Sequence, residues 1–215
     1  MSAQLEVGTF TVGPFAENAY IVRKQGSTRA LLVDPGAEAP RLIDAVSTLG
    51  LQIEAILVTH THVDHIGAVA ALAQHTGAPV YCPELEREDL ATGITLLGEV
   101  TPHEPEFVLS GGEQLELADL EISVLFTPGH SPGHLTYAIP EAQALFSGDV
   151  LFHGSVGRTD LPGGDWPTLL TSIAQLIDAY PPQTRVHPGH MSITTLGRER
   201  ETNPFLSDLR APAPR

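Results

Sequence analysis

Thr59-His60-Thr61-His62-Val63-Asp64-His65-Ile66-Gly67 sets three imidazoles and a carboxylate within nine residues, directly after the apolar run from Ile53 to Val58. A polar cluster at the end of a buried strand is costly unless something binds it, and donors at this spacing suit a divalent metal. His60 and His62 lie two residues apart, so extended chain directs both rings to one side. Asp64 and His65 follow where the chain turns toward a helix, so they face a second point in space. One motif therefore reads as two adjacent metal sites.

Three further segments repeat the pattern of an apolar strand that ends on glycine or proline beside a donor. They are Phe126-Thr127-Pro128-Gly129-His130, Leu145-Phe146-Ser147-Gly148-Asp149 and Arg185-Val186-His187-Pro188-Gly189-His190. Strand ends on one edge of a layered sheet converge, and glycine lets the backbone turn so that the next side chain enters the cleft. With the opening motif this supplies enough donors for two ions that share a carboxylate.

Apolar and alternating runs predict strands at about 5–12, 18–24, 29–34, 53–58, 79–82, 114–118, 120–126, 135–139, 143–147 and 184–187. Helical periodicity predicts helices at about 38–49, 66–76, 84–92, 166–179 and 194–201, the fourth capped by Asp165 with Pro167 in its first turn. Strand pairs separated by single helices in both halves predict an α/β (α+β) fold, two sheets face to face with helices outside. A chain of 215 residues is short for two cores, so one domain is expected over 1–207, with an Ala-Pro-rich tail fraying from Asp208 to Arg215.

Twenty-six acidic against eleven basic residues give a net charge of −15, which argues against nucleic acid or an anionic membrane as partner. No stretch of about eighteen apolar residues stands ready to span a bilayer. The opening residues carry neither the basic region nor the apolar block of a secretory signal, so the expected location is cytoplasmic. Cys82 is the only cysteine, so thiolate-rich zinc clusters are excluded and any metal is held by nitrogen and oxygen; Cys82 itself reads as a small buried hydrophobe.

The motif His60-x-His62-x-Asp64-His65, followed in order by His130, Asp149 and His190, resembles the metallo-β-lactamase superfamily. Leu32-Val33-Asp34-Pro35-Gly36 is similar to the early aspartate motif of that family. Gly157-Arg158-Thr159-Asp160, Thr194 to Arg200, and Asn203-Pro204 resemble its small bacterial glyoxalase II-like branch. The resemblance implies a four-layer αββα sandwich, with His60, His62 and His130 on one ion and Asp64, His65 and His190 on the other. Asp149 would bridge them, and Asp34 and His134 would support the ligands from behind. His75, His103, His153 and His187 fall outside the ligand pattern.

The implied cofactors are two divalent ions, Zn2+ first, with Fe2+ or Mn2+ accepting the same donors. Such a pair holds a hydroxide at neutral pH, with Asp64 as the catalytic carboxylate beside it. The implied substrate is a small thioester such as S-D-lactoylglutathione or a related 2-hydroxyacyl thioester, because thiolate leaves without the general acid that an amine requires. Only 25 residues follow His190, too few for the helical domain with which full-length glyoxalase II grips glutathione, so Arg158 is the candidate anion contact. The alternative is a persulfide dioxygenase using one iron on His60, His130 and Asp149. The sequence leaves the oligomeric state open, a homo-oligomer included.

Overall fold

The computed structural model describes residues 4–210. The first half of the chain gives β1 (Leu5–Val12), β2 (Glu17–Lys24), β3 (Arg29–Val33), β4 (Gln52–Leu57) and β5 (Val80–Pro83). After a small hairpin of β6 (Ile94–Thr95) and β7 (Gly98–Glu99), β8 (Phe107–Leu109) completes a six-stranded sheet in the order β1-β2-β3-β4-β5-β8. The second half gives β9 (Gln114–Leu117), β10 (Leu120–Phe126), β11 (Leu135–Ile139) and β12 (Ala144–Gly148), then the hairpin β13 (Leu151–Phe152) and β14 (Ser155–Val156). With β15 (Arg185–Pro188) and β16 (Thr194–Thr195) these form a second six-stranded sheet, ordered β16-β15-β12-β11-β10-β9.

Both faces of each sheet are covered, and successive side chains along a strand serve different layers. Leu31 and Phe146 point into the core between the sheets with Tyr20, Leu57, Leu120 and Tyr137, whereas their neighbours Leu32 and Leu145 point outward. Leu32 packs beneath α1 (Ala39–Thr48) and, beyond α2 (Val63–Ile66), beneath α3 (Val69–Thr76), whose Leu42 and Leu72 are fully buried. A further short helix, α4 (Arg87–Thr92), precedes the β6–β7 hairpin. Leu145 packs beneath α5 (Trp166–Ala179) through Leu169 and Ile173, and near α6 (Leu196–Thr202) through Leu196. The result is the expected αββα stack.

Asp165 caps α5 as expected, accepting hydrogen bonds from the Thr168 backbone N–H (2.9 Å) and hydroxyl (2.6 Å). The helix expected at 66–76 is instead two. Gly67 lies so close to Gly36 that a Cβ there would stand 2.3 Å from its carbonyl oxygen, and Ala68 N–H donates to Pro35 O (2.9 Å), so the chain breaks to pack on the β3–α1 loop. The segment expected as helix from 194 begins with the short strand β16, because Thr194 and Thr195 pair with Val186 and Arg185. The tail expected to fray from Asp208 begins in a helical turn, α7 (Ser207–Arg210); residues 211–215 lie outside the described residues. Among the described residues no helix is long and apolar enough to cross a membrane.

Strand direction places the site. β3 and β4 are parallel, and β10, β12 and β15 run one way because β11 is antiparallel to both of its neighbours and β15 is parallel to β12. Their C-terminal ends therefore share one edge of the sandwich, where Asp34, Thr59 to His65, Thr127 to His130, Asp149 and Gly189-His190 all emerge.

Candidate metal centre

The structure brings His60, His62, Asp64, His65, His130, Asp149 and His190 together at that edge. His62 Nδ1 lies 3.1 Å from His60 Nε2 and 2.9 Å from His130 Nε2. Asp64 Oδ2 lies 3.3 Å from His190 Nε2. Between the two groups stands Asp149, with Oδ2 at 3.5 Å from both His130 Nε2 and His190 Nε2 and Oδ1 at 3.3 Å from His65 Nε2. Asp64 and His65 sit in the first turn of α2 while His60 and His62 are on the extended stretch before it, so one short motif feeds both groups.

Hydrogen bonds behind the rings assign their protons. The Thr59 hydroxyl donates to Asp34 Oδ2 (2.6 Å), so its oxygen is free to accept from His60 Nδ1 (3.1 Å), which leaves a lone pair on His60 Nε2. His130 Nδ1 donates to the Arg158 carbonyl (2.8 Å), leaving Nε2 as a lone pair. His65 Nδ1 donates to Asp34 Oδ2 (2.9 Å), so a neutral His65 presents a lone pair to the Asp149 carboxylate. Asp34, whose Oδ1 also accepts from Thr59 N–H (2.7 Å), thus orients one ring in each group. The Asp149 N–H donates to His134 Nε2 (3.1 Å), whose Nδ1 faces the Thr127 hydroxyl (3.2 Å).

The lone pairs left on His60 Nε2 and His130 Nε2 both converge on His62 Nδ1. Buried His65 Nε2 and Asp149 Oδ1 have no hydrogen-bond partner, the usual sign of a missing electrophile. Four donors placed tetrahedrally around one ion would stand about 3.4 Å apart, close to what is found, so the residues fit divalent cations. Electrostatics divide the centre. Burial pushes His62 down to about 4, helped by His130 and His65, and burial with four neighbouring imidazoles holds His60 well below its ordinary value. Burial disfavours charge on His190, but Asp149 and Asp64 override it and raise the ring to about 9. Burial likewise opposes charge on Asp149, yet His65, His190 and His130 hold the carboxyl well below the carboxylate range.

Arg158 contributes its carbonyl to His130, whereas its exposed guanidinium is paired with Asp160 (2.7 and 2.8 Å). It lines an open groove of about 460 Å³ with Trp166 and Phe205. The C-terminal motif braces this loop: Glu199 accepts from Gly154 N–H (2.8 Å), and Asn203 donates to Ser155 O (2.9 Å). His187 lies in the inter-sheet core against Phe146 and Tyr20, and His75, His103 and His153 are likewise outside the cluster. Cys82 is fully buried.

Sequence reasoning missed two buried carboxylates and an amide. Glu17 is fully buried 3.9 Å from His65 Nδ1 with neither oxygen hydrogen-bonded; burial raises its carboxyl well above the usual range, His65 opposing. Asn18 donates to Pro188 O (3.2 Å) and Met191 O (2.8 Å), framing the turn that carries His190. Glu86 ties two site loops together. Its place four residues before Leu90 in the expected helix hints at burial and gives no sign of these partners.

Three comparisons bear on this geometry. Hydroxyacylglutathione hydrolase GloC of Haemophilus influenzae is 33% identical over 212 residues, covering 94% of this chain and 99% of that protein. The crystal structure of BLEG-1 B3 metallo-beta-lactamase superposes with a TM-score of 0.88 at 39% identity, covering 94% of this chain and all of that one. The structure of TTHA1623 in a di-iron-bound form gives 0.82 at 43% identity, covering 93% and 100%. The family model described as the Metallo-beta-lactamase superfamily matches residues 12–190, from the end of β1 to the last of the clustered histidines, and the chain belongs to that superfamily.

Proposed function

We propose that the chain is a metal-dependent hydrolase of a small thioester, S-D-lactoylglutathione or a related 2-hydroxyacyl thioester. The observation that carries this reading is the position of Asp149, one carboxylate within 3.5 Å of rings from both donor groups. His60, His62 and His130 would hold one ion, Asp64, His65 and His190 the other, and Asp149 both. When bound, such a pair lowers the pKa of water to about 7 and polarises the substrate carbonyl. Asp34 and the Arg158 carbonyl keep the ring protons on the side away from the centre. Asp64 and His190, more exposed than their neighbours, mark the open side where Asp64 would accept the proton of the attacking water.

A thioester suits the residues present. The single lysine, Lys24, ends β2, and Arg158 is engaged by Asp160, so neither of these cations is poised to protonate an amine. The similarity to GloC favours the hydroxyacyl thioester. Zn2+ is the first choice, and the di-iron form of TTHA1623 makes iron the second. The charge of the chain makes nucleic acid and membranes poor partners.

Anaerobic purification with elemental analysis, followed by parallel assays of lactoylglutathione hydrolysis and of oxygen uptake with glutathione persulfide, tests the reading. Two metals per chain with hydrolysis is expected. One iron with oxygen uptake would replace it with the dioxygenase alternative. Arg158 is proposed to leave its exposed pair with Asp160 for an anionic substrate, a small cost at the surface. Arg158→Ala is then expected to raise KM for lactoylglutathione about 3- to 10-fold, the reach of one exposed charge contact, and to leave KM for a neutral thioester unchanged. Equal changes for both substrates would remove Arg158 from recognition.

A further inference from the structure

The loops that carry the first donor group come from chain positions far apart, and among the described residues no backbone hydrogen bond joins Thr61 to Ser131. One side chain does. Glu86, buried in the single turn Glu84–Glu86 before α4, accepts from Thr61 N–H (2.7 Å) on Oε2 and from the Ser131 hydroxyl (2.6 Å) and Gly133 N–H (2.8 Å) on Oε1. The Thr61 hydroxyl has one proton to share between Glu86 Oε2 (3.0 Å) and Asp89 Oδ2 (2.8 Å). Thr61 lies between His60 and His62, and Ser131 follows His130. The carboxylate therefore spans the two segments whose rings meet at His62 Nδ1 and His130 Nε2, 2.9 Å apart. Gly133 is needed for this approach, because a Cβ there would lie 2.8 Å from Glu86 Cγ.

The facing of those rings depends on how the two loops are held relative to one another, and a buried carboxylate with three firm donors fixes that spacing. Resting on the two-ion reading above, we infer that Glu86 is a positioning residue that sets the His60, His62 and His130 group at binding distance and leaves the Asp64, His65 and His190 group untouched. Glu86 touches no ring of either group, so it acts through Thr61, Ser131 and Gly133. The bond pattern explains why a carboxylate is required: both oxygens must accept, and a glutamine offers one acceptor and one donor. Either orientation of Glu86→Gln therefore turns an N–H toward a backbone N–H, at Thr61 or at Gly133, and releases one loop.

The test separates the groups. A His190→Ala background leaves the first group intact and a His62→Ala background leaves the second, and zinc affinity is read in each by competition with a chelating dye. Glu86→Gln is expected to weaken zinc binding about 10- to 100-fold in the His190→Ala background, the usual effect of losing ligand support, and to change it less than about twofold in the His62→Ala background. Ser131→Ala, which removes a single donor, should act in the same direction more weakly and serves if Glu86→Gln does not fold. Glu54→Gln, which removes a carboxylate tied to Arg29 and Ala118, should leave both affinities unchanged. Equal weakening in both backgrounds would make Glu86 a general stabiliser and overturn the inference. Unchanged affinity in both would overturn it too. If the parent chain itself binds fewer than two ions, the two-ion reading fails first and takes this inference with it.

Discussion

Replacing Asp149 with Ala is expected to empty both donor groups at once and to lower thioester hydrolysis by about 10³-fold or more, the scale of losing a preorganised electrostatic element. Every other proposed ligand belongs to one group. Asp149 is the carboxylate that faces rings of both, with Oδ2 toward His130 and His190 and Oδ1 toward His65. Its place is fixed from the backbone, since its N–H is held by His134. Removing the carboxylate leaves histidine lone pairs with no counter-charge, and an ion of charge two loses its shared anionic donor. Metal analysis of purified Asp149→Ala should find well under one ion per chain. Unchanged stoichiometry would show that the carboxylate is not the bridge.

Gly189→Ala should cost nearly as much without removing a donor. Gly189 sits between Pro188 and His190 where a Cβ would stand 2.3 Å from Asp149 Oδ1 and 2.6 Å from His65 Cε1. Neither neighbour can retreat easily, because His65 is held by Asp34 and Gly189 itself is pinned by its N–H to Gly148 O (2.8 Å) and its carbonyl to Asn18 N–H (2.7 Å). A single methyl therefore displaces two proposed ligands. Overpacking of this kind costs about 1–3 kcal/mol of stability. The larger effect falls on the Asp64, His65 and His190 group, where activity should drop about 10²-fold or more, since a displacement of about 1 Å at a reacting centre has that reach. Zinc titration would find one tight site where two are proposed for the parent. Two tight sites and parental activity would mean that the turn relaxes, and that the geometry here is softer than its hydrogen bonds imply.

Much of this centre was legible in the sequence for a local reason. His60, His62, Asp64 and His65 fall within six residues, and His130, Asp149 and His190 each follow an apolar strand and a glycine. The strands were legible too, because burial on alternate sides leaves its period in the residues, as Leu31 and Leu32 show. Partners brought together by folding were not. Glu86 reads as one more helical glutamate until Thr61 and Ser131 fold onto it, and Glu17 is only the first residue of an apolar strand until His65 arrives. The break at Gly67 depends on Gly36, thirty-one positions earlier, so the periodicity of 66–76 gave no warning of it. Phe107–Leu109 went unread because three residues between proline-rich and glycine-rich stretches are too few to display a period.

The parallel pairing of β12 with β15 has a bearing on biosynthesis. Asp149 and His190 are neighbours only because Gly148 lies beside Pro188 in that ladder, and the chain between them must first travel through α5 and return. His60, His62 and His130 have all been made before the last quarter of the chain is translated. The other half of the centre cannot be finished until translation has passed residue 190. The order of the chain therefore makes the Asp64, His65 and His190 group the later of the two to be completed, because His60, His62, His130 and Asp149 all precede residue 190.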